Sequence, residues 1–144
     1  MKPVSISEAE YVAHRLASAM FSDLGFEEPI PPFENRYPNR LESCLNQPFA
    51  EFGGHEPYPG IEAKALALFY FCIKNHPFEN GNKRFAVAIL LVFLFLNDMW
   101  IEIDPVKLYE IAKQVAQSAE KPIEVIGFLQ NSFKDLFVKV QPGK

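Results

Sequence analysis

The consecutive residues His76-Pro77-Phe78-Glu79-Asn80-Gly81-Asn82-Lys83-Arg84 gather the groups with which a protein handles phosphate. Asn80-Gly81-Asn82 tolerates left-handed backbone, so successive N–H groups can point into one concavity, an anion-binding nest. Lys83 and Arg84 open the helix that follows, where each positive charge opposes the helix dipole by ~0.3–1 kcal/mol. Backbone N–H groups, the positive end of a dipole and two cations converge on one point. An anion would relieve that conflict, and phosphate is the usual occupant of such a place. His76 stands at the mouth of the site, where an imidazole could take the proton of a hydroxyl attacking a bound phosphoryl group. The same residues also fit an ordinary capped turn, because Asn-Gly is a frequent turn dipeptide and a Lys-Arg pair can flank an apolar helix in solvent. Phe78 reads as a core anchor that fixes the loop.

The elements that must position this segment are helical. Ile61 to Asn75 precedes it as a helix apolar on most faces, and about Asn82 to Asn97 follows it as a helix apolar all round beyond its first turn. Upstream, Ser7 and Glu10 have capping-box spacing ahead of Tyr11, Val12, Leu16, Met20 and Phe21, which predicts a first helix. Ser22 to Pro38 carries Pro29, Pro31, Pro32 and Pro38 and reads as a connector. A short helix is expected over Arg40 to Asn46. Gln47 to Gly60 holds Pro48, Gly53, Gly54, Pro57, Pro59 and Gly60 among Phe49, Phe52 and Tyr58; it reads as a flap without regular structure, long enough to suggest a function. Downstream of a connection at Trp100–Ile103, Asp104-Pro105 starts a helix reaching about Ala119, and Pro122 opens a last one to about Val138. No alternating strand pair is evident. The reading is an all-α bundle, one domain over residues 1–144, with five to six helices around a central apolar helix.

Composition excludes several classes. At 144 residues with 49% hydrophobic content and 14 Phe, the chain has the make-up of a compact globular domain. A net charge of −4, with no run of Lys or Arg, argues against nucleic-acid binding. The apolar run Phe85 to Leu96 is too short to cross a membrane, which takes ~20 residues. Cys44 and Cys72 have neither disulfide-framework nor zinc spacing and read as small buried hydrophobes. With no apolar signal core after Met1, the expected compartment is the reducing cytoplasm. His14 reads as a surface or boundary residue and His55 as solvated. The spacing Gly54 to Gly60 lacks the Lys and Ser/Thr of a P-loop, and no GxGxxG, Gx-Ser-xG or HExxH occurs, so any phosphate site is the helical one.

HPFENGNKR resembles the signature of the Fic/Doc family, His-x-Phe-x-(Asp/Glu)-(Gly/Ala)-Asn-(Gly/Lys)-Arg, at eight of nine positions. Leu41-Glu42-Ser43-Cys44-Leu45-Asn46-Gln47-Pro48 is similar to the Leu-Glu-Ser-x-Leu-x-x-Pro segment of Doc-like members, and the likeness runs from about Arg36 to Ser118. It implies ATP as co-substrate, Mg²⁺ as cofactor, and modification of a Ser, Thr or Tyr hydroxyl on a target protein, with His76 as general base. Asn80, Gly81, Asn82, Lys83 and Arg84 would bind the nucleotide phosphates, and Phe49, Phe52, Gly53 and Gly54 of the flap would hold the target. Lys83 at the eighth position, and Val87 where AMP-transferring members carry a further Arg, imply phosphate transfer; AMP transfer by the same fold is the alternative. Asn80 departs from the family, which has there the acidic residue that holds Mg²⁺. Either ATP phosphates hold the metal with Asn80 as a weak ligand, or the chain is a degenerate binding module. The resemblance also implies a translation factor as target and, since the chain lacks the family's inhibitory pattern Ser/Thr-x-x-x-Glu-(Gly/Asn), an antitoxin protein as partner.

Overall fold

A computed structural model describes residues 1–22, 36–37 and 39–140. The expected connector, residues 22–38, lies almost wholly outside them.

The chain enters its first helix through Ser5. Its hydroxyl accepts the Glu8 N–H at 3.1 Å, and the Glu8 carboxylate accepts the Ser5 N–H at 3.0 Å, a complete capping box. This corrects the expected pair Ser7 and Glu10. The spacing occurs twice, and starting at Ser5 is the register that buries Val4, Ala9, Val12 and Ala13 while leaving Ser7 in solvent. The helix runs as α1 (Ile6–Tyr11), a π-helical stretch Val12–Leu16 and α2 (Ala17–Met20). Its middle and end pack on α5.

Next come α3 (Arg40–Asn46), as expected, and a 3₁₀ turn Gln47–Phe49. The central pair follows: α4 (Gly60–Lys74) and α5 (Asn82–Leu96). On α5 the residues from Phe85 to Leu91, with Phe93 and Leu94, are buried, so α5 is the expected central helix. At ~1.5 Å per residue its length is roughly 22 Å, and among the described residues no helix is long and apolar enough to cross a membrane. The remaining helices are α6 (Pro105–Gln117), which packs on both α4 and α5, and α7 (Pro122–Phe133), which packs on α4. Asp104 caps α6 by accepting the Val106 N–H at 2.8 Å, with Pro105 at the first position, as its sequence demands. Lys74, at the end of α4, donates to the Ala116 and Ser118 carbonyls at 3.3 and 2.5 Å and closes the other end of α6.

Two expectations fail at the C-terminal side. The last helix stops at Phe133 instead of near Val138, and a strand pair is present. β1 (Met99–Ile101) pairs antiparallel with β2 (Phe137–Lys139), Trp100 opposite Val138. Three residues per strand give too little alternation to register against apolar neighbours, and Phe137 and Val138 continue the helical pattern of α7. The ribbon lies against the C-terminal end of α5. Asn97 ties the N-terminus there, donating to the Lys2 carbonyl at 2.9 Å and accepting the Lys2 N–H at 2.6 Å. The fold is otherwise all-α.

Both cysteines are free and fully buried, as small hydrophobes would be, and Cys44 on α3 donates its thiol proton to the Phe71 carbonyl of α4 at 3.2 Å. Burial raises the Cys72 thiol well above its usual value, reinforced by the adjacent Cys44 thiol. Burial also raises the Tyr58 and Tyr70 hydroxyls, Tyr58 further through Tyr70.

The native state thus keeps protons that an unfolded chain releases from its ordinary thiol value of 9.0 and phenol value of 10.0 upward. Stability from these groups is fully present below about pH 9 and is lost as pH rises through the raised native values. The urea midpoint should fall between pH 9 and 11; a midpoint rising over that range would contradict the burial described. Ser5→Ala should lower stability by about 1 kcal/mol and Ser7→Ala by less than ~0.5 kcal/mol. The reverse order in urea unfolding would restore the other capping register.

Candidate functional site

Between the end of α4 and the start of α5 the chain must reverse within a few residues. It does so with two left-handed conformations, His76 at φ 47° and Gly81 at φ 78°. At Gly81 the absence of a Cβ removes the usual ~1–2 kcal/mol cost of that region. A glycine N-cap offers no side-chain acceptor, and α5 has no side-chain cap. Its first backbone bond is the Phe85 N–H to the Gly81 carbonyl, 2.9 Å. The N–H groups of Asn82 and Lys83 lie ahead of that bond and point out of the helix start.

One side chain shapes the loop. Asn82, 6% exposed, accepts the Phe78 N–H with Oδ1 at 2.9 Å and donates Nδ2 to the Phe78 carbonyl at 2.9 Å. Phe78 is fully buried and meets Phe85 edge-on, ring centroids 5.2 Å apart. Backbone brace and aromatic anchor hold the same residue from two sides. The two bonds to Phe78 also fix which end of the Asn82 amide faces His76, and Nδ2 lies 3.4 Å from His76 Nδ1. An amide nitrogen only donates, so this contact leaves the lone pair of the neutral imidazole on Nδ1 and its proton on Nε2. His76 itself is exposed.

Residues near α3 brace the loop from outside. The Tyr37 N–H donates to the Pro77 carbonyl at 2.9 Å. Arg40 reaches the His76 carbonyl at 3.5 Å, with its guanidinium 4.3 Å from the centre of the Tyr37 ring. Arg36 pairs with Glu42 at 3.2 Å. The sequence reading missed Tyr37 and Arg40 as loop supports, because their partner is more than thirty residues away and no local spacing announces it.

The remaining motif residues differ in exposure. Glu79 is exposed. The Oδ1 of Asn80 is buried, with no hydrogen-bond partner among the described residues. Leaving such an acceptor unmet costs about 1–3 kcal/mol, which a ligand or water could recover. Lys83 is half-buried, whereas Arg84 is 7% exposed and already engaged within the fold. A cationic pair simply flanking the helix in solvent does not describe Arg84.

The flap has more order than its breakers suggest. Phe52 and His55 exchange backbone hydrogen bonds of 2.8 and 3.0 Å across Gly53 (φ 57°) and Gly54 (φ 81°), a two-residue mirror-image turn that glycine suits. Phe52 is 69% exposed at its tip. Phe49 instead turns inward against Phe93, centroids 5.9 Å apart, so of the expected target-holding residues it belongs to the flap's base. Asn75, immediately before His76, donates to Gln47 Oε1 at 3.2 Å and joins the flap's root to the motif loop.

Among the described residues no group of three or more His, Cys, Asp and Glu side chains could hold a metal. A cavity of about 440 Å³ lies elsewhere, between α6 and α7, lined by Ile111, Val115, Val125, Phe128, Leu129 and Phe133 among others, with no motif residue.

The sequence profile of the Fic/DOC family matches residues 5–94. The chain is also 34% identical over 64 residues to Toxin Doc of Mycolicibacterium smegmatis (strain ATCC 700084 / mc(2)155), a match covering 44% of this chain and 49% of that protein. The matched part therefore spans about half the length of that relative. The loop braced by Asn82 lies within the matched residues, and the chain belongs to the Fic/DOC family.

Proposed function

We propose that this chain is a Fic-type transferase that uses ATP to phosphorylate a hydroxyl of a target protein. The observation that carries the reading is the convergence on one loop of an uncapped helix start, left-handed Gly81, Lys83, an orphaned Asn80 oxygen and an exposed imidazole. Triphosphate oxygens complement the first three, the Asn80 oxygen is an acceptor suited to a cation carried by those phosphates, and a hydroxyl beside the fifth completes a reacting pair.

In this reading the target's hydroxyl oxygen bonds to the γ-phosphorus as the bond from that phosphorus to the β–γ bridging oxygen breaks, and ADP departs. His76 accepts the hydroxyl proton. Its Nδ1 lone pair is directed at Asn82, so action through Nε2 requires the ring to exchange tautomers. The 3.4 Å contact that opposes the exchange is long, and losing it costs about 1 kcal/mol or less. The backbone N–H groups of Asn82 and Lys83, with the Lys83 ammonium, balance charge on the transferring group. The Asn82 side chain, occupied by Phe78, works as a brace and leaves phosphate contact to its backbone.

Mg²⁺ fits this site in a limited way. The orphaned Oδ1 of Asn80 is an oxygen donor of the right kind, and the ion would take its other ligands from phosphates and water. Bound there it would neutralise phosphate charge. A neutral amide gives it a weaker hold than a carboxylate.

The 34% identity to a protein named Toxin Doc supports a growth-inhibiting role, with an antitoxin as partner and a protein as target. One observation favours a second reading, a binding module without turnover: Asn80 stands where the family signature has an acid.

Incubating the chain and cell lysate with γ-labelled and α-labelled ATP separates these readings. Label retained on a protein from the γ position alone is expected; retention from α would mean AMP transfer, and from neither a binding module. His76→Ala should reduce labelling at least ~100-fold with the urea midpoint little changed, and full labelling would end the general-base assignment. Asn80→Asp should raise Mg²⁺-dependent transfer. Unchanged transfer would remove Asn80 from the metal's surroundings.

A further inference from the structure

Lys64 lies in the second turn of α4 and is only 3% exposed. A buried ammonium costs several kcal/mol unless it is paired and its donors are met. It has three protons to place, and its neighbours account for them. Glu56 Oε1 lies at 3.0 Å, the Tyr58 carbonyl at 2.5 Å, and the face of the Phe49 ring at 5.7 Å from its centroid.

Every one of these partners belongs to the flap. Phe49 lies on the arm that leads into the Phe52–His55 hairpin, and Glu56 and Tyr58 lie on the arm that leads out. A single cation thus holds both arms against α4. Phe49 also packs on Phe93 and Tyr58 on Phe71, ring centroids 5.9 Å apart in each case. The tip between the arms, however, is exposed and closed by two backbone hydrogen bonds, and a lone two-stranded hairpin is marginal in water.

We propose that Lys64 is the positioning residue of the flap, a buried cation that sets where the Phe52–His55 edge is presented to the target's chain. The role in target binding rests on the proposed function; the clamp itself does not. Removing the clamp leaves the phosphate-handling loop intact and transfers the ordering of the flap to the moment of target binding. That weakens target affinity without slowing the step that follows.

Lys64→Met keeps the stem and removes the charge; Glu56→Gln keeps the shape of the partner, itself 42% exposed, and removes the ion pair. Amide hydrogen exchange on the full chain reads the clamp directly. In both variants the Phe52 and His55 N–H groups should exchange about tenfold faster while amides of α4 and α5 keep their protection. Unchanged exchange at Phe52 and His55, or faster exchange spread evenly over the chain, would overturn the clamp. Transfer from γ-labelled ATP, titrated against lysate, reads the consequence. The half-saturating lysate concentration should rise about fivefold, with the maximal rate and half-saturating ATP kept. A lower maximal rate at unchanged half-saturation would overturn the positioning role. Should Lys64→Met not fold, Glu56→Gln carries both measurements. Should the parent chain transfer no label, the proposed function fails while the exchange result still decides the clamp.

Discussion

The site depends on the Asn82 side chain binding both the N–H and the carbonyl of Phe78. A side-chain amide is the one neutral group that can imitate a backbone strand partner, donating and accepting across a single residue. Used here, it closes a ring around the three residues between Phe78 and Asn82 and sets the curvature of the loop. An aspartate would keep the acceptor and lose the donor; a leucine would fill the space and leave two buried backbone groups unmet. The arrangement also places Nδ2 3.4 Å from His76 Nδ1, so one amide shapes the loop and meets the imidazole beside it.

That brace works because of what lies on either side. α4 and α5 are almost wholly apolar and pack on one another, which fixes the distance that the loop must span. Phe78 plugs the loop into that core against Phe85. Asn82 and Arg84 are buried and engaged within the fold, the Asn80 oxygen is buried with no partner among the described residues, and Lys83 stays half-exposed beside them in sequence. Such a place is unfavourable when empty, since dipole, cation and unmet acceptor are gathered there at a cost that packing elsewhere covers. Tyr37 and Arg40 on one side, and Gln47 through Asn75 on the other, stop the loop from relaxing away.

Much of this was legible because the strongest signals were local and redundant. The boundaries of α3, α4 and α5 follow from apolar runs interrupted by breakers, and α6 from Asp104-Pro105. The motif announced itself through residues that disagree with their own neighbourhood: cations at a helix start, an imidazole at a turn. Signals that repeat or run short were misread. Ser5-x-x-Glu8 and Ser7-x-x-Glu10 look alike, and only burial of Ala9 and Val12 chooses between them. The ribbon of β1 and β2 owes its existence to pairing across more than thirty residues, which three-residue strands cannot advertise. Lys64 did carry a sign, a charge among Ala63, Ala65 and Leu66. Its partners, however, lie in a segment whose glycines and prolines pointed toward a flap without regular structure and away from a clamped hairpin.

The central claim is that the loop between α4 and α5 is built to receive phosphate. Backbone amide NMR of the full chain, titrated with ATP and Mg²⁺, addresses it without requiring turnover or a known target. Saturable shifts concentrated at the N–H groups of Gly81, Asn82 and Lys83 are expected, with the Phe78 N–H still protected by Asn82. Saturable shifts confined to the cavity between α6 and α7, or none at any nucleotide concentration, would contradict the account.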